Sequence, residues 1–126
     1  MTTTTRDVDG VTIADIKGRI VLGEESDALR ELVADLVGKG QRKILLNFVD
    51  VNYIDSSGLG NLVSSLVRVR MYAGELKLLN LTKRVHDLMQ VTKLDTLFDI
   101  MDDEAVAVKS FRQSATATHV APLPKT

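Results

Sequence analysis

Lys43-Ile44-Leu45-Leu46-Asn47-Phe48-Val49 is apolar almost throughout. A short run without alternation fits a strand covered on both of its faces. Covering it requires helices or loops above and below, which directs the chain toward an α/β architecture. The preceding segment supplies one such helix. Ala28, Leu29, Leu32, Val33, Leu36 and Val37 recur at helical spacing, Ser26 is a candidate N-cap, and Gly38 and Gly40 end the run.

Upstream, Asp9-Gly10 is a two-residue hairpin signal, because both residue types tolerate the positive φ of a type I′ turn. Thr4–Val8 and the alternating Val11–Ile16 are the flanking strands; Gly18 interrupts the pattern before a second apolar burst, Ile20-Val21-Leu22.

Downstream of the central run a helix is expected from Ser57 or Gly58. Its apolar stripe is Leu59, Leu62, Val63, Leu66, Val67 and Ala73, its polar face Asn61, Ser64, Ser65 and Arg68, and Gly74 closes it. Leu76–Leu79 is a short strand, and Thr82 caps a third helix carrying Val85, Leu88 and Met89. Leu97–Ile100 suggests a last strand, and Asp102 or Asp103 starts a final helix with Ala105, Val106, Val108 and Phe111. Residues 112–126 are rich in Ser, Thr, Ala and Pro without an apolar period, which predicts a mobile tail. The expected fold is therefore α/β: a four- to five-stranded mixed sheet with an N-terminal hairpin and about four helices mainly on one face.

Several function classes are disfavoured by composition. Seventeen acids against sixteen bases give a net charge of −1, which offers nothing to attract nucleic acid or an anionic membrane. The chain has no cysteine, excluding disulfides and thiolate chemistry. No apolar run approaches the ~20 residues of a membrane span, and Met1–Thr5 lacks the features of a signal peptide, so a cytoplasmic location is expected. His86 and His119 have no second histidine at ligand spacing, so neither a metal site nor a cofactor is expected. The pairs Glu24-Glu25 and Asp102-Asp103 sit at expected helix starts, where negative charge interacts favourably with free amides.

The central strand runs into Asp55-Ser56-Ser57-Gly58-Leu59-Gly60. The segment lacks the third glycine of a dinucleotide fingerprint and the Gly-Lys-Ser/Thr of a P-loop. A carboxylate and two hydroxyls at a helix start serve either as a cap or as a phosphate-bearing site. Asp55 alone meets the capping requirement, leaving the hydroxyls in surplus.

In its setting, Ile54-Asp55-Ser56-Ser57-Gly58-Leu59-Gly60 resembles the STAS domains, in particular the bacterial anti-sigma factor antagonists. Lys43–Asp50 is similar to the family's central strand, and Gly74–Leu78 to its glycine-then-strand step. Lys83–Leu88 is similar to its third helix, and the likeness runs from Thr4 to Phe111. The resemblance implies a domain over 1–111 that is not an enzyme. It acts in partner switching, binding an anti-sigma factor when unphosphorylated.

That partner is a serine kinase of histidine-kinase-like ATPase fold, which phosphorylates the serine after the aspartate, here Ser56; a PP2C-type phosphatase reverses the step. The implied partner surface comprises Asp55, Ser56, Ser57, Gly58, Asn61 and Ser64, together with Glu24 and Glu25. Family members carry an aspartate near the phosphoserine, in a short turn after the second strand's glycine. Here the connection Arg19–Glu25 is longer and more apolar, and Glu24 or Glu25 stands in for that acid. The alternative implied by the same resemblance is a scaffold or a cytoplasmic subunit of a lipid or anion transport system.

Overall fold

A computed structural model describes residues 1–111, the side chains of residues 24–26 apart. The tail expected over 112–126, with His119, lies outside the described residues. The strands are β1 (Thr2–Val8), β2 (Val11–Ile20), β3 (Lys43–Ile54), β4 (Glu75–Leu79) and β5 (Ile100–Met101). The helices are α1 (Glu24–Gly38), α2 (Ser56–Met71), α3 (Lys83–Val91) and α4 (104–111), with a 3-10 turn at Leu94–Thr96.

The five strands form one mixed sheet in the order β1-β2-β3-β4-β5. β1 and β2 pair antiparallel through Val8↔Val11, across a turn in which Asp9 (φ 52°) and Gly10 (φ 84°) both take the expected left-handed conformation. The other pairings are parallel. β3 lies at the centre and contributes to both cores. Ile44, Leu46 and Phe48 pack under α1, α2 and α3 with Leu29, Val33, Leu62, Leu66, Val85 and Met89. Leu45 points the other way, joining Val11, Ile13 and Leu79 beneath Ala107, Val108 and Phe111 of α4. Three helices therefore share one face and the last covers part of the other, as the unbroken apolar run requires.

Several local expectations change. Gly18 does not divide β2; it is taken up at one of two register irregularities, at Asp15/Lys17 and Gly18/Arg19, in a single strand. The extra residue at both irregularities lies in β3 (Asn47 to Asp50 against Asp15 to Lys17, and Val51 to Tyr53 against Gly18 to Arg19), so β3 buries Phe48, Val51 and Ile54 at spacings of three while it stays extended well past Val49. Helix α1 starts before Ser26: Gly23 is its N-cap at φ 104°, with no side-chain cap bond, and its carbonyl accepts from the Asp27 amide. The last strand falls later than Leu97–Ile100, because the 3-10 turn places Phe98 in the core before pairing begins. In α4, Ala107 is buried and Val106 exposed, with Asp103 Oδ1 accepting from the Val106 amide as the cap.

On α2 the apolar stripe is displaced. Ser65 is 1% exposed and Val67 51% exposed. The Ser65 hydroxyl donates to the Asn61 carbonyl at 2.8 Å, so it is satisfied within the helix and costs little to bury. Ala73 lies beyond the helix at φ 60°. Gly74 does close the helix, but because of space: a Cβ there would stand 2.7 Å from the Arg42 carbonyl oxygen.

Candidate functional site

At the carboxyl end of β3 the chain leaves the sheet at Ile54 and enters α2 at Ser56, with Asp55 between them in extended conformation. Asp55 accepts at both carboxylate oxygens. Oδ1 receives the Gly58 amide at 2.9 Å, an N-cap bond, and Oδ2 receives the Leu22 amide at 2.8 Å. Its own amide donates to the Ile20 carbonyl at 3.2 Å. One side chain therefore caps α2 and anchors the connection between β2 and α1.

Gly58 lies where helix and sheet meet. A Cβ at this position would stand 2.5 Å from the Ile20 carbonyl oxygen and 2.7 Å from Ile54 Cγ1. The helix start rests directly on the ends of β2 and β3, and Ser56 is fixed by backbone packing rather than by its own side chain. Gly60 differs: nothing lies within 4 Å of a Cβ there.

Ser56 is exposed at the first helical position, and Ser57 is half-buried beside it. Ser64, two turns along the same outward stripe, is exposed; Asn61 is half-buried, and its carbonyl accepts the Ser65 hydroxyl. Glu24 and Glu25 open α1 immediately after Leu22-Gly23, and their side chains lie outside the description. Asp55, Ser56, Ser57 and Gly58 thus form one turn, whereas Asn61 and Ser64 continue along the helix. Sequence reasoning passed over Leu22. It is 76% exposed, with its amide held by Asp55 next to the helix start, and it adds an apolar knob to the same surface. Its signal was the apolar character of the long connection after Gly18.

Two backbone amides, Gly58 first and Leu22 second, hold the Asp55 carboxyl below the usual carboxylate range. The folded state therefore favours the ionised form. That contribution is complete above the unfolded value near ~4 and is lost as pH falls through the lower folded value. Arg6 acts likewise on Asp15 and on Glu104, at 2.7 Å and 2.6 Å. All three groups predict falling thermal stability below about pH 4. In Asp55→Asn, melting temperature followed by circular dichroism should depend less on pH there. An unchanged pH profile in that variant would remove Asp55 from the account.

Among the described residues no cluster of three or more His, Asp or Glu is arranged to hold a metal ion. No helix among them is long and apolar enough to cross a membrane.

Comparison with known proteins gives this geometry a context. Residues 2–107 match the STAS domain. The anti-sigma-B factor antagonist of Bacillus subtilis is 38% identical over 86 residues, covering 68% of this chain and 72% of the relative. Among solved structures, TM1081 of Thermotoga maritima is 28% identical with a TM-score of 0.80, over 87% of this chain and 94% of that one. The Bacillus cell fate determinant SpoIIAA in its phosphorylated form has a TM-score of 0.67 at 19% identity, over 86% of this chain and 98% of that one, a likeness of fold. With a matching domain over most of its length and the helix start of β3–α2 at its centre, the chain belongs to the STAS domain family, among relatives named as anti-sigma factor antagonists.

Proposed function

We propose that this protein is a phosphorylation-controlled partner switch: unphosphorylated, it binds an anti-sigma factor kinase, and phosphate on Ser56 releases it. The observation that carries the reading is the exposed Ser56 hydroxyl on a helix start that Asp55 and Gly58 hold rigid.

A phosphate at this position adds about −1.5 to −2 charges and three acceptor oxygens. The first turn of a helix tolerates that charge, and its neighbour Asp55 is already compensated by two amides. Because Ser56 faces solvent, the modified chain keeps its fold. A partner packed over Ser56 and Leu22 would instead have to desolvate the phosphate, and binding is lost. The switch acts at the interface and requires no refolding. A PP2C-type phosphatase is the proposed means of reversal.

Incubation with the cognate kinase and ATP tests this assignment. Wild-type protein should incorporate phosphate and Ser56→Ala none, while Ser56→Asp should bind the kinase at least roughly tenfold more weakly. Equal incorporation by wild type and Ser56→Ala overturns the role of Ser56.

Gly60 gives a second handle. Glycine within a helix costs about 0.5–1 kcal/mol relative to alanine, and here the fold has room for a side chain. Gly60→Ala should raise Tm by a few degrees while weakening kinase binding, because a methyl group then stands between the partner and the helix. Calorimetric titration showing unchanged affinity would place Gly60 outside the contact.

A further inference from the structure

Close to the end of β3, two arginines converge without an acid between them. Arg19 stands in register with Tyr53 across β2 and β3. Arg84, in the first turn of α3, lies with its guanidinium 5.9 Å from the centre of the Tyr53 ring. With Asn52 they line an open cleft of about 310 Å³. Neither arginine has a carboxylate partner among the described residues. Arg6, Arg30, Lys39, Lys77 and Lys83 each do.

Placing Arg84 here does nothing for the helix. The first turn of α3 holds Lys83 and Arg84 and no acid, although the positive end of the helix favours negative charge. Lys83 is offset by Asp87 at 2.8 Å; Arg84 has no such compensation. The aromatic face holds one guanidinium in place by cation–π attraction and leaves its N–H groups for another acceptor. Arg19 adds a second set of donors, Asn52 an amide, and Tyr53 a phenol.

We infer that Arg19, Asn52, Tyr53 and Arg84 form a docking cleft for an acidic segment of the protein that binds at Ser56, pairing its carboxylates with the two guanidiniums. Guanidinium forks match carboxylates in geometry as well as in charge. Tyr53 stands three residues before Ser56, so the cleft lies at the same end of β3 as the candidate phosphosite. Being open and wide, it suits side chains presented by a protein better than a small ligand requiring enclosure. Which protein brings the carboxylates rests on the partner-switch reading; the chemistry of the cleft does not.

The test uses the full ¹⁵N-labelled chain and a hexaglutamate peptide as probe, with inorganic phosphate in a parallel titration. The peptide should shift the signals of Arg19, Asn52, Tyr53 and Arg84 saturably, and should bind more weakly as salt rises. Arg19→Gln/Arg84→Gln should weaken it by roughly tenfold, with an unchanged melting curve, and Lys17→Gln/Arg68→Gln should leave it unaltered.

Shifts scattered over all basic residues, or equal binding by the Arg19/Arg84 variant, overturn the cleft. Phosphate saturating the same signals as tightly as the peptide overturns its assignment to a protein segment. Failure of the partner-switch reading shows elsewhere, as phosphate incorporation that survives Ser56→Ala.

Discussion

Gly58→Ala is expected to destabilise the protein by about 3 kcal/mol, at the upper end of the range for overpacking. The added methyl carbon would stand 2.5 Å from the Ile20 carbonyl oxygen, 2.7 Å from Ile54 Cγ1 and 3.0 Å from Ile20 Cγ2. The nearest obstacle is backbone. Ile20 pairs with Ile54 in the sheet, and its carbonyl accepts the Asp55 amide, so it cannot retreat without opening the end of β2. Helix α2 would have to lift instead, weakening the Asp55 cap and the packing of Leu59 and Leu62. Against this, the gain in helix propensity from glycine to alanine is only ~1 kcal/mol. Thermal and urea denaturation should show Tm lower by about 10 °C. Gly60→Ala, two residues along the same helix, should move Tm the other way. A Gly58→Ala protein melting at or above wild type would mean that α2 does not rest on β2 and β3 at this point.

Phe111→Ala should cost about 3–5 kcal/mol, the range for truncating a buried phenylalanine. Phe111 is fully buried on the second face of the sheet with Val11, Ile13, Leu45, Leu79, Ala107 and Val108. That cluster is small, so little else can fill the space. The ring also lies 4.9 Å from Lys77 Nζ, a buried ammonium that donates to Ser110 Oγ at 2.9 Å and has Asp99 and Glu75 at 3.5 Å and 3.8 Å. Removing the ring loosens α4, and with it the hydroxyl that the ammonium uses. Val106→Ala on the exposed side of α4 is the control and should be nearly neutral. Urea unfolding monitored by circular dichroism separates the two. Equal midpoints would show that α4 adds nothing to the core. The STAS match ends at residue 107, but the core continues to Phe111.

The element order was legible from periodicity, and the turn at Asp9-Gly10 from its residue types, because both depend on local φ and ψ preferences. The caps at Asp55 and Thr82 were legible for the same reason, and Asp103 as one of two adjacent candidates with Asp102: each of the three accepts from an amide three residues ahead. Ser26 misled because a glycine with positive φ turned the chain into α1 earlier. Val67 and Ser65 misled because a helical stripe specifies spacing, not which of two adjoining edges meets the core. An apolar residue on the wrong edge is left outside, and a serine that bonds back to its own helix is buried at small cost.

For the candidate site, the sequence alone determined that a carboxylate, two serines and two glycines stand where the central strand becomes a helix. Local geometry suffices for that, since a helix start exposes free amides wherever it occurs. Only the tertiary structure decided what each residue does. Asp55 reaches Leu22, 33 residues away, and so anchors a second segment. Gly58 is pressed against Ile20 while Gly60 faces open space, and Arg19 and Arg84 line one cleft with Tyr53. Those relations come from strands and helices brought together by burial of the core, a contact pattern that spacing along one segment does not encode.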